Sequence, residues 1–134
     1  MSAAKGLVLF PGAGSSASHS SLVALEEAMQ PLPVARVDFP YRRAGKRAPD
    51  RAPVLLQCVR DEVQAFGKAS GVRTSSLVIG GRSMGGRMCS MAAAGDTGSA
   101  KKGEPPLFGD PLKVRGLVHS FPTRRSSDHR KSVV

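Results

Sequence analysis

Ser83 is the residue whose surroundings in the sequence most directly indicate chemistry. Residues 81–85 read Gly-Arg-Ser-Met-Gly and match the G-x-S-x-G pattern of a nucleophile elbow. Such a turn holds the serine in a strained conformation at the tip of a strand, with its hydroxyl exposed. The residues two before and two after the serine must be small, because a side chain there would collide with neighbouring backbone. Here they are Gly81 and Gly85, and we therefore predict that Ser83 is a nucleophile.

The segments around this turn alternate between strand-like and helix-like patterns. Short apolar runs predict strands, and apolar residues at helical spacing predict helices. The predicted strands are residues 6–10, 34–39, 77–80 and 114–118. The predicted helices are a first one capped by Ser20 or Ser21, a second over residues 54–69, and a third that follows the turn and ends near Gly95. This order predicts an α/β fold with three layers, a parallel sheet carrying helices on both faces.

A second glycine-rich segment, residues 11–20, follows the first predicted strand, and we call it the glycine loop. The turn at residues 81–86 follows the third strand. Ligands of parallel sheets bind beyond the carboxyl ends of the strands. If the first and third strands are neighbours, the two loops face one crevice.

Four ordered blocks of sequence carry a family resemblance. They are residues 10–14 (FPGAG), 38–42 (DFPYR), 49–53 (PDRAP) and 80–87 (GGRSMGGR). With these blocks the chain resembles the α/β-hydrolase superfamily. More narrowly, it resembles the dienelactone-hydrolase-related group that includes testis-expressed protein 30 and the α/β-hydrolase-like domain of an NSL chromatin-complex subunit. The resemblance implies that the chain is the N-terminal portion of an α/β-hydrolase fold.

The resemblance also implies roles for individual residues. Ser83 would attack the carbonyl of an ester or other acyl substrate, with no cofactor. The backbone N–H of Met84 and one from Gly12 or Ala13 would form the oxyanion hole. The alternative is that the glycine loop only leads the chain into the first helix.

A catalytic triad cannot be assembled from the residues that follow Ser83. The order for this fold is serine, then an acid, then histidine. Asp96 and Asp110 precede the last predicted strand and are expected to be solvated loop carboxylates. His119 comes directly after that strand, before the strand that would carry the acid. His19 is expected to be an exposed loop histidine. The family's acid and histidine follow later strands, so we expect this chain to be inactive as it stands.

The last residues differ from the rest of the chain. Residues 119–134 begin with a string that resembles one reading frame of a common sequencing adapter. We therefore expect residues 1–118 to be a partial α/β-hydrolase-like domain and residues 119–134 to be a non-native basic tail. The alternative is a natural basic tail.

Two other functional classes remain open. Residues 12–17 also fit the dinucleotide fingerprint G-x-G-x-x-G/A, with Asp38 placed to bind a ribose. A non-catalytic interaction module is the third class, since the fold alone does not establish activity. Its basic segment, residues 42–51, would then meet an acidic protein partner.

Composition sets the remaining expectations. The formal net charge is +10, yet no aromatic residues are interleaved with the basic ones to stack bases, so specific nucleic-acid binding is not expected. No apolar run has the length of a membrane span, and a cytoplasmic location is the default expectation. Cys58 and Cys89 lack metal-ligand spacing and fall on apolar helix positions, which predicts buried free thiols and no metal site.

Overall fold

Four parallel strands form the sheet of this protein, whose computed structural model describes residues 3–105 and 107–118. The strands are β1 (Gly6–Phe10), β2 (Val34–Arg36), β3 (Leu77–Gly81) and β4 (Gly116–Val118). The helices are α1 (Ser20–Ala28), α2 (Pro40–Arg43), α3 (Ala52–Ser70) and α4 (Met84–Ala94). The spatial order is β2-β1-β3-β4. The first and third strands are therefore neighbours, which is the condition for the glycine loop and the Ser83 turn to face one crevice.

The side chains of β1 explain the three layers. All five residues of this strand are buried, and its alternate side chains enter different cores. Leu7 and Leu9 pack with Leu22 of α1, whereas Val8 and Phe10 pack with α3 and α4. A strand covered on both faces needs a continuous apolar run, which β1 has. The predicted fold class, with helices on both faces of a parallel sheet, is confirmed.

The register of β1 and β3 brings the two loops together. Phe10 pairs with Gly81, so the two strands end at the same level. The glycine loop leaves from one of these ends and the Ser83 turn from the other. Helix α4 follows the turn and ends at Gly95, which has a left-handed φ of 88° and caps the helix, as predicted.

Several sequence predictions about element bounds are wrong. Helix α3 runs from Ala52 to Ser70 instead of over residues 54–69, and β3 ends at Gly81 instead of residue 80. Strand β2 ends at Arg36 instead of residue 39, because the chain leaves the sheet after the Val37 N–H bonds to the Leu9 carbonyl. The segment from Pro40 to Arg43, where no helix was predicted, is a short helix, since a proline suits the first helical turn. Strand β4 begins at Gly116 instead of residue 114.

Three aromatic residues stack near the carboxyl ends of the strands. The rings of Phe10 and Phe39 stack with centroids 5.5 Å apart, and those of Phe39 and Tyr41 with centroids 6.5 Å apart. All three side chains are buried. This stack carries the chain from β2 into α2 and fixes Tyr41 beside the glycine loop. In the described ranges, no helix is both long and apolar enough to cross a membrane.

Candidate functional site

Ser83 occupies a strained position between β3 and α4. Its φ is 47° and its ψ is −112°, and it is the only non-glycine residue with positive φ in the described ranges. Conformations of this kind cost about 1–3 kcal/mol and are found at functional sites. The residue is exposed. The strand–turn–helix context that the G-x-S-x-G motif requires is therefore present.

Gly81 and Gly85 are glycines for a steric reason. A β-carbon on either residue would collide with the carbonyl oxygen of Phe10. At Gly85 it would also lie 2.6 Å from the carbonyl oxygen of Pro11. Real β-carbons do not approach backbone this closely. The two glycines thus allow the Ser83 turn to lie directly against the end of β1.

Met84 begins helix α4, and its backbone N–H is one of those a helix leaves without an internal partner. It donates no hydrogen bond to another residue of the described ranges. The helix dipole adds partial positive charge at this end. An oxyanion held beside Ser83 would therefore meet a free donor and a favourable field.

Gly12 lies against Ser83 from the glycine loop. A β-carbon at position 12 would be 3.6 Å from the Ser83 β-carbon and 3.5 Å from the Arg82 carbonyl oxygen. Gly12 is buried and Ala13 is exposed. The backbone N–H of neither residue is bonded within residues 3–105 and 107–118. Both candidate donors of the loop are thus unbonded.

The middle of the glycine loop is held by side chains from β2 and the residues after it. The Ala17 N–H donates to Oδ1 of Asp38 at 2.7 Å, and Nη1 of Arg36 donates to the Ala17 carbonyl oxygen at 2.6 Å. Arg36 also pairs with Glu26 of α1 at 2.6 Å. Both backbone groups of Ala17 are therefore satisfied by charged side chains.

A further contact holds the loop at its turn. The Gly14 N–H donates to the hydroxyl oxygen of Tyr41 at 3.0 Å, and Gly14 has a φ of 73° in a turn closed by the Ser15 N–H and the Gly12 carbonyl. The Tyr41 N–H in turn donates to Oδ2 of Asp50 at 2.9 Å. The loop is thus tied to the fold at several points.

His19 caps helix α1, and the prediction that Ser20 or Ser21 does so is wrong. Its Nδ1 accepts the Ser21 N–H at 3.1 Å. The side chain is half-buried, and Nη1 of Arg82 lies 3.1 Å from Nε2. Burial and, second, the Arg82 charge lower the pKa of His19 below its ordinary value of 6.5. The expectation of an exposed loop histidine is therefore also wrong.

A family model described as an alpha/beta hydrolase domain matches residues 3–122. The chain belongs to the α/β-hydrolase family. Searches of curated proteins and of solved structures gave no match. The narrower group and the boundary at residue 118 stay predictions, and residues 119–134, with His119, lie outside the described residues.

Two carboxylates that follow Ser83 do not approach it in this α/β-hydrolase. Asp96 lies just beyond the far end of α4, and its Oδ1 accepts the Gly98 N–H at 2.9 Å. The eleven residues of α4 separate it from the Ser83 turn by about 16 Å of helix. Asp110 is exposed, and its carbonyl oxygen accepts from Arg60 at 2.6 Å. No residue of the described ranges forms a hydrogen bond with Ser83 Oγ.

The geometry of the dinucleotide fingerprint is missing from the α/β-hydrolase chain. That motif requires a helix that opens at the second glycine, Gly14. Helix α1 begins at Ser20, and Gly14 lies in a turn. Asp38, the candidate ribose ligand, is bonded to Ala17. The glycine loop therefore lacks the helix start that a dinucleotide site needs.

The two cysteines are buried free thiols, as predicted. Burial raises the pKa of Cys58 to about 11, with a smaller opposing effect of Arg43 and a smaller raising effect of Glu62. Burial raises the pKa of Cys89 further. Within the part of the chain that the structure describes, no three His, Cys, Asp or Glu side chains cluster as a metal site would need.

Sequence reasoning missed the side chains that hold the site. Arg36, Tyr41, Asp50 and Arg82 had no assigned role, although three of them lie in the four blocks that carry the family resemblance. Their partners lie 9 to 63 residues away in the chain. Periodicity and local spacing do not report contacts of that range.

Proposed function

We propose that this protein is the nucleophile and oxyanion half of a serine hydrolase centre that acts on an ester or other acyl substrate. Ser83 Oγ forms a bond to the acyl carbon and releases the alcohol or amine. Water then releases the acid and restores the serine. The observation that carries the proposal is the left-handed φ of 47° at Ser83, at the tip of a buried strand.

The strain at Ser83 supports a functional role. A turn that served only to join β3 to α4 would have no reason to keep a non-glycine residue at positive φ. Glycines already stand on both sides of the turn, so a glycine at position 83 would relieve the strain. The serine is retained with an exposed hydroxyl instead.

The donors beside Ser83 support acyl chemistry. The N–H groups of Met84 and of Gly12 or Ala13 are unbonded in the described part of the chain and belong to two different loops. Two fixed donors around a developing oxyanion are the usual means of stabilising a tetrahedral intermediate. Removing one such donor from an enzyme typically lowers kcat about 100- to 1,000-fold.

A general base is the part of the mechanism that the described residues do not supply. His19 Nδ1 is engaged by Ser21, and Nε2 lies against Arg82. A serine hydroxyl without a base is a weak nucleophile. We propose that an acid after the next strand and a histidine near the carboxyl end complete the centre in relatives that carry the same four blocks. The dienelactone-hydrolase-related group and a cytoplasmic location also belong to this proposal.

The test is covalent labelling by a fluorophosphonate probe. An intact relative carrying the four blocks is expected to be labelled, and the change equivalent to Ser83→Ala is expected to abolish labelling. Ser75→Ala is the matched control, because Ser75 is exposed and lies in the short turn before β3. Labelling that survives Ser83→Ala would refute the nucleophile assignment. The present chain is expected to show no esterase turnover above background.

The second candidate is a non-catalytic interaction module. It is favoured by the absence of a hydrogen-bonded base at Ser83 Oγ in the described ranges. Lys46, Arg47 and Arg51 are exposed and would face an acidic protein partner. An intact relative that folds, binds an acidic peptide and resists the probe would favour this candidate. Saturable enhancement of NADH fluorescence would instead revive the dinucleotide alternative.

A further inference from the structure

Arg82, the residue before Ser83, connects the two ends of the glycine loop. At the start of the loop, a β-carbon on Gly12 would lie 3.5 Å from the Arg82 carbonyl oxygen and 4.0 Å from its β-carbon. At the end of the loop, Nη1 of Arg82 lies 3.1 Å from Nε2 and 3.4 Å from Nδ1 of His19. It also lies 3.4 Å from Ser21 Oγ.

The two ring distances show how the guanidinium meets the imidazole. A nitrogen in the ring plane could approach both ring nitrogens this closely only by colliding with the C–H group between them. Nη1 therefore lies over the face of the ring. The N–H of this nitrogen points at the ring, and such a cation–π contact has an attraction of about 0.5–1 kcal/mol at exposed sites and more when desolvated.

The tautomer of His19 follows from its other contact. Nδ1 faces the Ser21 N–H at 3.1 Å, and a backbone N–H can only donate. A ring that accepts this bond keeps its Nδ1 lone pair and, when neutral, carries its proton on Nε2, and the Ser21 hydroxyl, 2.9 Å from Nδ1, can then donate to the same nitrogen. A proton added to Nδ1 would oppose the Ser21 N–H and place a second positive charge against Arg82.

We propose that Arg82 and His19 are a positioning pair that fixes the glycine loop against Ser83, and that the neutral Nε2–H form of His19 is the one that does so. The catalytic consequence, placement of the Gly12 or Ala13 N–H opposite the Met84 N–H, rests on the proposed function. The contact between Arg82 and His19 does not rest on it. Neither residue is a base in this scheme, and neither touches the reacting atoms.

The charges around the pair agree with this assignment. Arg82, from the turn after β3, is the charged side chain in contact with the ring in the described ranges, and Ser21 of α1 is the other polar contact. From β2 and the residues after it, Arg36 and Asp38 hold the loop at Ala17. The pKa of His19 is lowered by burial and by Arg82, which agrees with a neutral ring beside a guanidinium.

The experiment uses the present chain and needs no turnover. Nitrogen-detected NMR gives the tautomer and pKa of His19, with His19→Asn used to assign its signals. We expect a pKa below 6.5, the Nε2–H tautomer, and Gly12 and Ala13 amide shifts that titrate with the midpoint of His19. Arg82→Ala is expected to raise that pKa and to make amide exchange at Gly14 and Ala17 roughly fivefold faster.

The control is Arg87→Ala, which removes a guanidinium one helical turn after Ser83. It should leave the His19 pKa and the amide exchange of the glycine loop unchanged. Arg82→Lys keeps the charge without the planar guanidinium and its array of N–H donors. It should keep part of the pKa shift yet lose the protection of the loop, and it serves if Arg82→Ala does not fold. A pKa that moves without any change in loop exchange would overturn the positioning role. Faster amide exchange at Gly14 and Ala17 with an unchanged His19 pKa would also overturn it. A variant that changes neither measurement would do the same. Failure of Ser83 labelling in a relative would leave these results standing.

Discussion

Gly12 lies against Ser83, so that a β-carbon at position 12 would be 3.6 Å from the serine β-carbon. This proximity joins two residues that are 71 positions apart in the chain. It arises because β1 and β3 are neighbours and end in register at Phe10 and Gly81. The backbone of each loop therefore borders the serine, and changes to either loop have consequences that can be measured.

The close approach of β1 to the Ser83 turn predicts a severe effect of Gly81→Ala and Gly85→Ala. Each added methyl group would meet the Phe10 carbonyl oxygen. We expect a loss of more than roughly 4 kcal/mol in the free energy of unfolding, or failure to fold. Gly109→Ala is the control, since its nearest neighbour is a Thr97 methyl at 3.6 Å. Equal urea midpoints for Gly81→Ala and Gly109→Ala would contradict the packing described.

The contacts of the glycine loop predict graded effects of their removal. Tyr41→Phe deletes only the hydroxyl that accepts the Gly14 N–H and should cost about 1 kcal/mol in unfolding free energy. Asp38→Ala removes a charged acceptor from Ala17 and should cost roughly 2 kcal/mol. Asp38→Asn keeps an acceptor oxygen and should lie between Asp38→Ala and the parent chain. Amide exchange at Gly14 and Ala17 reports the two contacts separately, and slow exchange at Ala17 in Asp38→Ala would show that the loop is held elsewhere.

The lowered pKa of His19 predicts how stability changes with pH. The unfolded chain binds a proton near 6.5, whereas the folded chain binds it only at lower pH. The contribution of His19 to the free energy of unfolding is therefore fully present above pH 6.5 and is lost as the pH falls through the folded pKa. Urea unfolding at pH values on both sides of 6.5 measures this pH-dependent part of the unfolding free energy. His19→Asn should remove this component of the pH dependence, and an unchanged profile in that variant would assign it to other groups.

The buried thiols predict an order of reactivity. The pKa of Cys58 is raised to about 11 by burial, and that of Cys89 is raised further, so few thiolates exist near neutral pH. An aromatic disulfide reagent should leave both residues unmodified in the folded chain and react with both in urea. As pH is raised, Cys58 should react before Cys89. Cys58→Ala and Cys89→Ala assign the two phases, and rapid reaction of Cys89 at neutral pH would show that α4 is not packed as described.

Much of the local structure could be predicted because it depends on local chemistry. The five apolar residues of β1 and the glycine that ends α4 act through neighbouring residues, and their elements match the prediction. The residues after Arg36 show where this reasoning failed. Val37 and Phe39 are apolar enough for a strand, yet the chain leaves the sheet there to bring Asp38 to Ala17 and to start a helix at Pro40.

The sequence by itself determined the chemical elements of the candidate site. The serine, the small residues around it and the glycine loop are all set by residue type and spacing, since a nucleophile elbow requires a short pattern of atoms. Tertiary structure decided which groups surround the serine. The contact of Arg82 with His19, and the hydrogen bonds from Asp38 and Tyr41 to the glycine loop, join residues that only the strand order β2-β1-β3 brings together. Strand order depends on how the three layers pack, and that packing is a property of the whole chain.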